Sequence, residues 1–516
     1  MEAPTMSNGC LQGKDSNSDV PSLLPGSSPK LSSTSERKNS LEQDNTRIAV
    51  QFDPDDASNP KNWSRGRRWY MTIVAAFLAF NASLASSAPS GMADRLIQYF
   101  QFSQELATLT IALFIFGYCV GPLFWGPLSE QYGLRPIFLV SFPVYICFTV
   151  GCALSRNTVS IMLFRLLSGM FAAAPMSNSG ALISDIWDAQ TRGKALSLFI
   201  IAPFMAPACG TILSGYLAQS MLSWRWLFWI MAIIAGVSLL LIVFTLPETY
   251  GPVLLVRKAR ALRATTGDDR YVAPLELSPA MSISARASYT VSMPFKMLAR
   301  APTLIATTVY MSFLNGCMYL MFEAFPVVYI EGHHFGTGAA GLVWIPVVIG
   351  IVVSILAHIF IFEKRYANAL SGRGTVAMSP ELRLESAIWG APLFALSFFW
   401  FGWTSDPSIS YWAPLMAGPV MGFSTIWIFL ALFNYIVDVY LSVAASALAV
   451  NTVIRSIAGA GFPLFASQMY QGLKPQWAST VIGCFSVLMV PIPLVLQRYG
   501  PILRRKSTFV PGYNRA

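Results

Sequence analysis

Between Tyr70 and Leu496 the sequence is dominated by long apolar runs in which charged residues are rare, and each run reaches the roughly 20 residues an α-helix needs to cross a bilayer. Such a chain has few folds open to it, because in hydrocarbon every backbone N–H and C=O must find a partner inside the protein. About twelve runs are read on length and apolarity. The first six fall at Tyr70–Ser90, Glu105–Trp125, Pro136–Leu154, Ser160–Ile183, Ala195–Gln219 and Trp226–Leu246. The second six fall at Thr303–Tyr329, Gly338–Phe362, Ser386–Trp403, Tyr411–Val437, Val443–Tyr470 and Trp477–Leu496. The fold class is therefore an all-α polytopic membrane protein in two six-helix halves. Hydrophobic residues make up 54% of the 516 positions and charged residues only 12%, which excludes an ordinary soluble domain.

The polar stretches divide the chain. Residues 1–68 are rich in Ser, Pro and Asn and lack the apolar centre of a signal peptide, so they read as a disordered cytoplasmic tail, with Ser35 to Ser40 as phosphorylation candidates. Residues 69–246 form the first half, 247–300 a cytoplasmic linker, 301–498 the second half and 499–516 a C-terminal tail. An amphipathic helix over Val253–Arg263 in the linker is expected to lie against anionic lipid.

The net charge of +10 is spread over the gaps between apolar runs, so it reads as a topology signal and not as a nucleic-acid surface. Even-numbered loops carry Arg135, Arg192, Lys194 and the many basic residues from Arg257 to Arg300, whereas odd-numbered loops hold only Arg95, Arg156, Arg225 and Lys474. Both termini are thus expected in the cytoplasm. Cysteines at 10, 119, 147, 152, 209, 317 and 484 form no Cys-x-x-Cys and no pairing with the three histidines, so neither a metal site nor a cofactor is expected.

Several motifs fall in order along this frame. Gly126-Pro-Leu-Ser-Glu-Gln-Tyr-Gly-Leu-Arg-Pro-Ile137 is a polar turn between the second and third runs. It is followed by Arg165-Leu-Leu-Ser-Gly169, Asp185-Ile-Trp-Asp-Ala-Gln-Thr-Arg-Gly193, Leu246-Pro-Glu-Thr-Tyr250 and Ala444-Ala-Ser-Ala-Leu-Ala-Val-Asn-Thr-Val-Ile-Arg455. Before the first run stands Asp53-Pro-Asp-Asp-Ala-Ser-Asn-Pro-Lys-Asn-Trp-Ser64. In sum the chain resembles the major facilitator transporters, and within them the fungal twelve-span drug:proton antiporter family. It departs from the pattern at Leu134, where the family has a second basic residue, and at Ala206-Pro207, where the antiporter motif has Gly-Pro.

The resemblance implies a major facilitator fold and proton-coupled efflux of a drug, organic acid or secondary metabolite. It also implies a plasma-membrane location with lipid, substrate and protons as partners and a monomer as the working unit. Glu130 and Arg135, with Asp185 and Arg192, are candidates for a cytoplasmic gate between the halves, the alternative being charges that only fix topology. Pro203, Pro207, Gly210 and Gly215 lie in the antiporter-like fifth run. Arg165 is assigned a coupling or substrate-anion role by the resemblance, and a role as partner to backbone carbonyls by the cost of desolvating it.

Asn315, Tyr319 and Glu323 stand at i, i+4 and i+8 and share one helical face. The resemblance turns that face toward the central cavity, with Glu323 carrying the exchanged proton; a structural hydrogen bond is the alternative. Weaker lining candidates are Asn81, Ser86, Ser87, Met176, Asn178, Met416, Trp427 and Asn434, and His358, Asp438 and Arg455 read as structural. No Gly-x-x-x-x-Gly-Lys-(Ser/Thr) motif and no sizeable soluble domain support an enzyme or an ATP-driven pump. An importer and a non-transporting receptor share the same sequence pattern.

Overall fold

The computed structural model describes residues 48–277, 292–293, 295–365, 380–440 and 444–505. Most of the expected N-terminal tail with Ser35 to Ser40, the tail beyond residue 505, and the loop residues Arg286, Arg373 and Ser379 lie outside the described residues. Among these, eleven continuous helical stretches are long and apolar enough to cross a membrane. Spans 1 to 6 are Arg65–Phe100, Gln104–Tyr132, Leu134–Leu154, Thr158–Ile186, Thr191–Gln219 and Arg225–Thr245. Spans 7 to 10 are Pro302–Gly332, Thr337–Glu363, Pro380–Thr404 and Trp412–Val439.

The last stretch, Ser446–Arg504, has 59 residues. A straight helix of that length would run about 90 Å, three times the hydrocarbon thickness. It folds back instead. Lys474 has φ 63 and ψ 155, and Pro475 follows it. The Tyr470 hydroxyl and Ser479 Oγ are 2.9 Å apart although nine positions separate them. Residues 446–473 and 475–504 are therefore spans 11 and 12, and among the described residues the passes number twelve.

The expected turn from Gly126 to Ile137 shrinks to one residue. Span 2 continues through Pro127 to Tyr132, Gly133 takes φ 94, and span 3 begins at Leu134. Polar residues here mark where the helix leaves the bilayer and not where it ends, because its hydrogen-bond ladder is internal in either medium.

Buried apolar side chains form one large cluster in each half. Ile200 and Ala208 of span 5 belong to the second-half cluster, so span 5 is part of the seam. A smaller cluster of Ile111, Ala112 and Ile115 with Ala460 joins span 2 to span 11 on the other side. The bundle thus has a basic end, where the Gly133 turn lies, and a far end, where spans 1 and 2, 7 and 8, and 11 and 12 connect.

At the basic end the residues before span 1 dock on the linker. Strand β1 (Ile48–Ala49) pairs in parallel with β2 (Tyr271–Val272). Lys258, on the linker helix Gly251–Thr266, reaches Asp56 at 2.6 Å and Asp53 at 3.0 Å. The linker helix expected over Val253–Arg263 is present and longer, but Lys258 serves the protein's own N-terminal segment. Asn62, the first residue of a potential glycosylation sequon, donates instead to the carbonyls of Pro54 and Asp56.

Candidate functional site

Four carboxylates are buried among the described residues: Glu248, Glu323, Glu363 and Glu381. Three are neutralised by protein groups. Glu248 Oε1 accepts from the backbone N–H groups of Leu134, Thr249 and Tyr250, each at 3.0 Å, and Oε2 accepts from Arg135 N at 3.2 Å. Glu363 receives Arg383 at 2.9 Å and lies 3.8 Å from His358 Nε2, and Glu381 receives Arg504 at 2.8 Å. Glu323 differs: among the described residues it has no ion pair, and the Thr108 hydroxyl lies beside it.

Glu323 faces a cavity of about 450 Å³ between the halves at the far end. Asp94 and Gln104 from the first half and Glu331, Phe325 and Trp344 from the second line it. The i, i+4, i+8 face of span 7 is thus used in three ways. Asn315 donates to the Arg455 carbonyl at 3.0 Å and bonds span 7 to span 11. Tyr319 meets Ser86 of span 1 at 3.0 Å, a hydrogen bond that crosses between the halves at the centre. Only Glu323 reaches the cavity.

Arg165 is 1% exposed, and its guanidinium is spent on backbone. Nε donates to Thr110 O at 2.8 Å, Nη1 to Ala85 O at 2.9 Å and Nη2 to Ser86 O at 3.3 Å, with the Phe114 ring 4.3 Å from its centre. It braces span 4 against spans 1 and 2. Gly169, one turn on, packs on the Phe114 carbonyl so closely that a Cβ there would collide with it. Of the two roles open to Arg165 in the sequence, the geometry matches the partner to carbonyls.

The four residues of the antiporter-like helix line up on spans 1 and 8. Pro207 has no N–H, so the carbonyl of Pro203 four residues before it loses its helical donor, and Ser83 Oγ takes the place at 2.7 Å. Ser87 Oγ donates to Pro207 O at 2.8 Å. A Cβ on Gly210 would meet Ser87 and Leu84, and one on Gly215 would meet the Thr337 carbonyl of span 8. These positions set the close approach of span 5 to span 1 within one half and to span 8 across the seam.

At the basic end Arg135 and Asp185 both lie near Glu248. Glu130 is exposed, and Arg135 reaches the Val243 carbonyl at 3.3 Å. Asp185 lies near Glu248, Lys61 and Arg192. Glu248, quoted above only as part of a motif, is the group that grips the turn. Its signal was an acidic residue just after a span, but its partners are backbone groups that leave no mark in sequence. In the second half Arg383 bridges Glu363 and Asp438, the latter at 3.0 Å. Glu363 also faces Gly193 of span 5, where a Cβ would strike its carboxylate, so this cluster touches the opposite half.

Several weaker candidates are occupied by packing. Asn81 bonds Ser238 at 3.1 Å and Tyr145 at 3.1 Å, and Asn178 approaches Ser129 and the Trp125 carbonyl, all within the first half. Trp427 donates to Ser354 O at 3.1 Å within the second. Arg455 lies in span 11 over the Phe429 ring at 5.2 Å. Met176, Met416 and Asn434 are outside the cavity lining.

Comparison with known proteins agrees with this architecture. The family model described as Major Facilitator Superfamily matches residues 71–463. An efflux pump of Gibberella moniliformis, FUB11, is 37% identical over 461 residues, 89% of this chain and 77% of the relative. The major facilitator superfamily multidrug transporter FLU1 of Candida albicans is 36% identical over 464 residues, 89% of this chain and 76% of the relative. The ascochitine biosynthesis cluster MFS transporter of Didymella fabae is 33% identical over 492 residues, covering 95% and 92%. In solved structures the proton:xylose symporter XylE, bound to 6-bromo-6-deoxy-D-glucose, aligns with TM-score 0.58 at 16% identity, over 85% of this chain and 96% of that one, a likeness of fold alone. With twelve passes in two halves, an interhalf cavity and a family match over most of its length, the chain belongs to the Major Facilitator Superfamily.

Proposed function

We propose that the protein is a secondary active exporter of a small organic molecule, coupled to protons and working by alternating access. The observation that carries the reading is Glu323, the one buried carboxylate with neither a cation nor a backbone N–H on it among the described residues, facing a cavity between the halves. Burying a carboxyl group is tolerable when it is protonated, and costly when it is charged and unpaired. A group of that kind, reached from one side of the membrane, binds and releases a proton as the halves move. The named efflux pumps and multidrug transporter among the relatives support export.

In this reading the basic end lies in the cytoplasm and the far-end cavity opens outside, with the plasma membrane as the site of action. The residue assignments follow from position. Glu323 carries the proton. The Ser86–Tyr319 hydrogen bond closes the centre. Asp185, Arg192, Glu130 and Arg135, ordered around Glu248, form with Glu363 and Gly193 the cytoplasmic gate. Arg165 and the Pro203, Pro207 and Gly210 face of span 5 keep the first half rigid while the gate works, and Gly215 lets span 5 pack closely on span 8 across the seam.

Everted membrane vesicles containing the protein, with an acid lumen, test this. They should concentrate at least one of rhodamine 6G, a cation, and lucifer yellow, an anion, until a protonophore is added, and Glu323→Gln at equal abundance should remove the gradient-driven part. Uptake that ignores the gradient in the wild type, or a Glu323→Gln protein that still concentrates the dye, would overturn the proposal.

A further inference from the structure

The far-end cavity has a composition that a proton site alone does not require. Three carboxylates line it, Asp94 and Glu331 at the exposed rim and Glu323 at the buried floor, and no Lys, Arg or His is among its lining residues. Glu323 is 8% exposed. Its wall is aromatic: Phe322 stacks on Trp344 at 4.2 Å between ring centres, and Phe325 tilts against the same indole at 4.9 Å. Gln104 and Gln471 complete the rim. The cationic candidates lie elsewhere, Arg165 being consumed by three carbonyls and Arg455 standing over Phe429 outside the lining.

We infer that this cavity binds an organic cation with an aromatic or apolar body, its charge held by Glu323 and its body by Phe322, Phe325 and Trp344. Three features select that class. A volume of about 450 Å³ suits a drug-sized molecule. Aromatic faces attract a cation through their quadrupole, more strongly once water is displaced. A floor carboxylate that has released its proton gains from the ligand the counter-ion that no described residue supplies, whereas an anion entering the same space would meet like charge at the rim and, once that proton leaves, at the floor. Glu323 and Glu331 are eight positions apart on span 7, roughly 12 Å along the helix, so the rim charges steer a cation that the floor then holds.

This deepens the export proposal, and its test is equilibrium binding without any gradient, so the two fail separately. Radiolabelled tetraphenylphosphonium would be bound to the full-length protein in nanodiscs, and the isosteric anion tetraphenylborate, labelled and in separate samples, measured in the same way, each over empty nanodiscs. The cation should bind saturably above the empty nanodiscs, with unlabelled cation displacing it, and the anion should not. Glu323→Gln should weaken binding at least tenfold. Asp94→Asn with Glu331→Gln should weaken it two- to fivefold and flatten its dependence on salt. Glu323→Asp should recover part of the affinity, which separates lost charge from misfolding. Saturable binding of tetraphenylborate as tight as that of the cation, or full cation affinity in Glu323→Gln, would overturn the inference. Binding without gradient-driven flux would instead overturn the export proposal alone.

Discussion

Removing the Glu248 carboxylate should unfasten the start of span 3, and the geometry says by how much. Leu134 and Arg135 are the first residues of that helix, so their N–H groups have no intrahelical acceptor, and Glu248 supplies both. Thr249 and Tyr250 donate to the same side chain, so four N–H groups depend on one residue that is 5% exposed.

Glu248→Gln can keep three of the four by placing its oxygen at the Oε1 position. Its amide NH2 then faces Arg135 N, one donor is stranded, and the favourable charge at a helix N-terminus is lost. That amounts to about 2 kcal/mol. Glu248→Ala strands all four, at about 1 kcal/mol or more each, for a total near 4 kcal/mol or above. Thermal unfolding read by a thiol-reactive dye reports this directly, because Cys119, Cys152 and Cys317 are buried until the bundle opens. The Ala variant should lose at least twice the stability lost by the Gln variant. If the two losses are equal, or if the Gln variant is the worse, the carboxylate is not acting as a shared acceptor and the account of the turn fails.

Two further outcomes follow from other contacts. Lys258, with help from Ser58, holds the Asp56 carboxyl down at about 2, and Asp56 with Asp53 raises the Lys258 ammonium above its usual value. A lowered acid contributes stability that is present above its unfolded value near 3.9 and lost as pH falls through about 2, while a raised base contributes until pH climbs past its folded value. Protection of the amides over residues 48–56 against hydrogen exchange, corrected for the intrinsic rate at each pH, should therefore be flat from about pH 5 to 9, fall in strong acid, and be lower across that range in Lys258→Met; a sharp change near neutrality would refute the clamp. Arg165→Lys should destabilise the fold by about 2 kcal/mol or more, since an ammonium cannot reach three carbonyls in a planar fork. Tetraphenylphosphonium affinity in the protein that remains folded should be unchanged, and a selective loss of binding without loss of stability would restore Arg165 to the substrate path.

What was legible in the sequence follows what the bilayer imposes. Span positions could be read because thickness sets helix length, and the shared face of Asn315, Tyr319 and Glu323 because helical periodicity is fixed. Span ends were misjudged at Gly126–Tyr132, where polarity changes seven residues before the helix stops. Which carbonyls Arg165 meets, and the N–H partners of Glu248, could not be read for a common reason. Backbone carbonyls and N–H groups are present at every position, so no residue type announces them. Asn81 and Asn178 looked like cavity groups because a polar residue within a span is noticed, yet each has a partner inside its own half.

The buried charges make a consistent division once their partners are known. At the basic end Glu248, Glu363 and Glu381 are each matched by N–H donors or guanidinium groups, so their desolvation is offset and they can fix local geometry in any state in which those contacts persist. Arg165 is matched by carbonyls in the same way. Among the buried carboxylates of the described residues, Glu323 is the one left for something that comes and goes. Between it and the braced first half stands the Tyr319–Ser86 hydrogen bond, one turn from Glu323 on the same face and made across the seam. A change of charge at Glu323 and a change in how the halves meet are therefore adjacent events on one helix. Tyr319→Phe separates them: it removes the cross-seam bond while leaving Glu323 and its cavity lining in place, so cation binding should survive and coupling of flux to the proton gradient should fall.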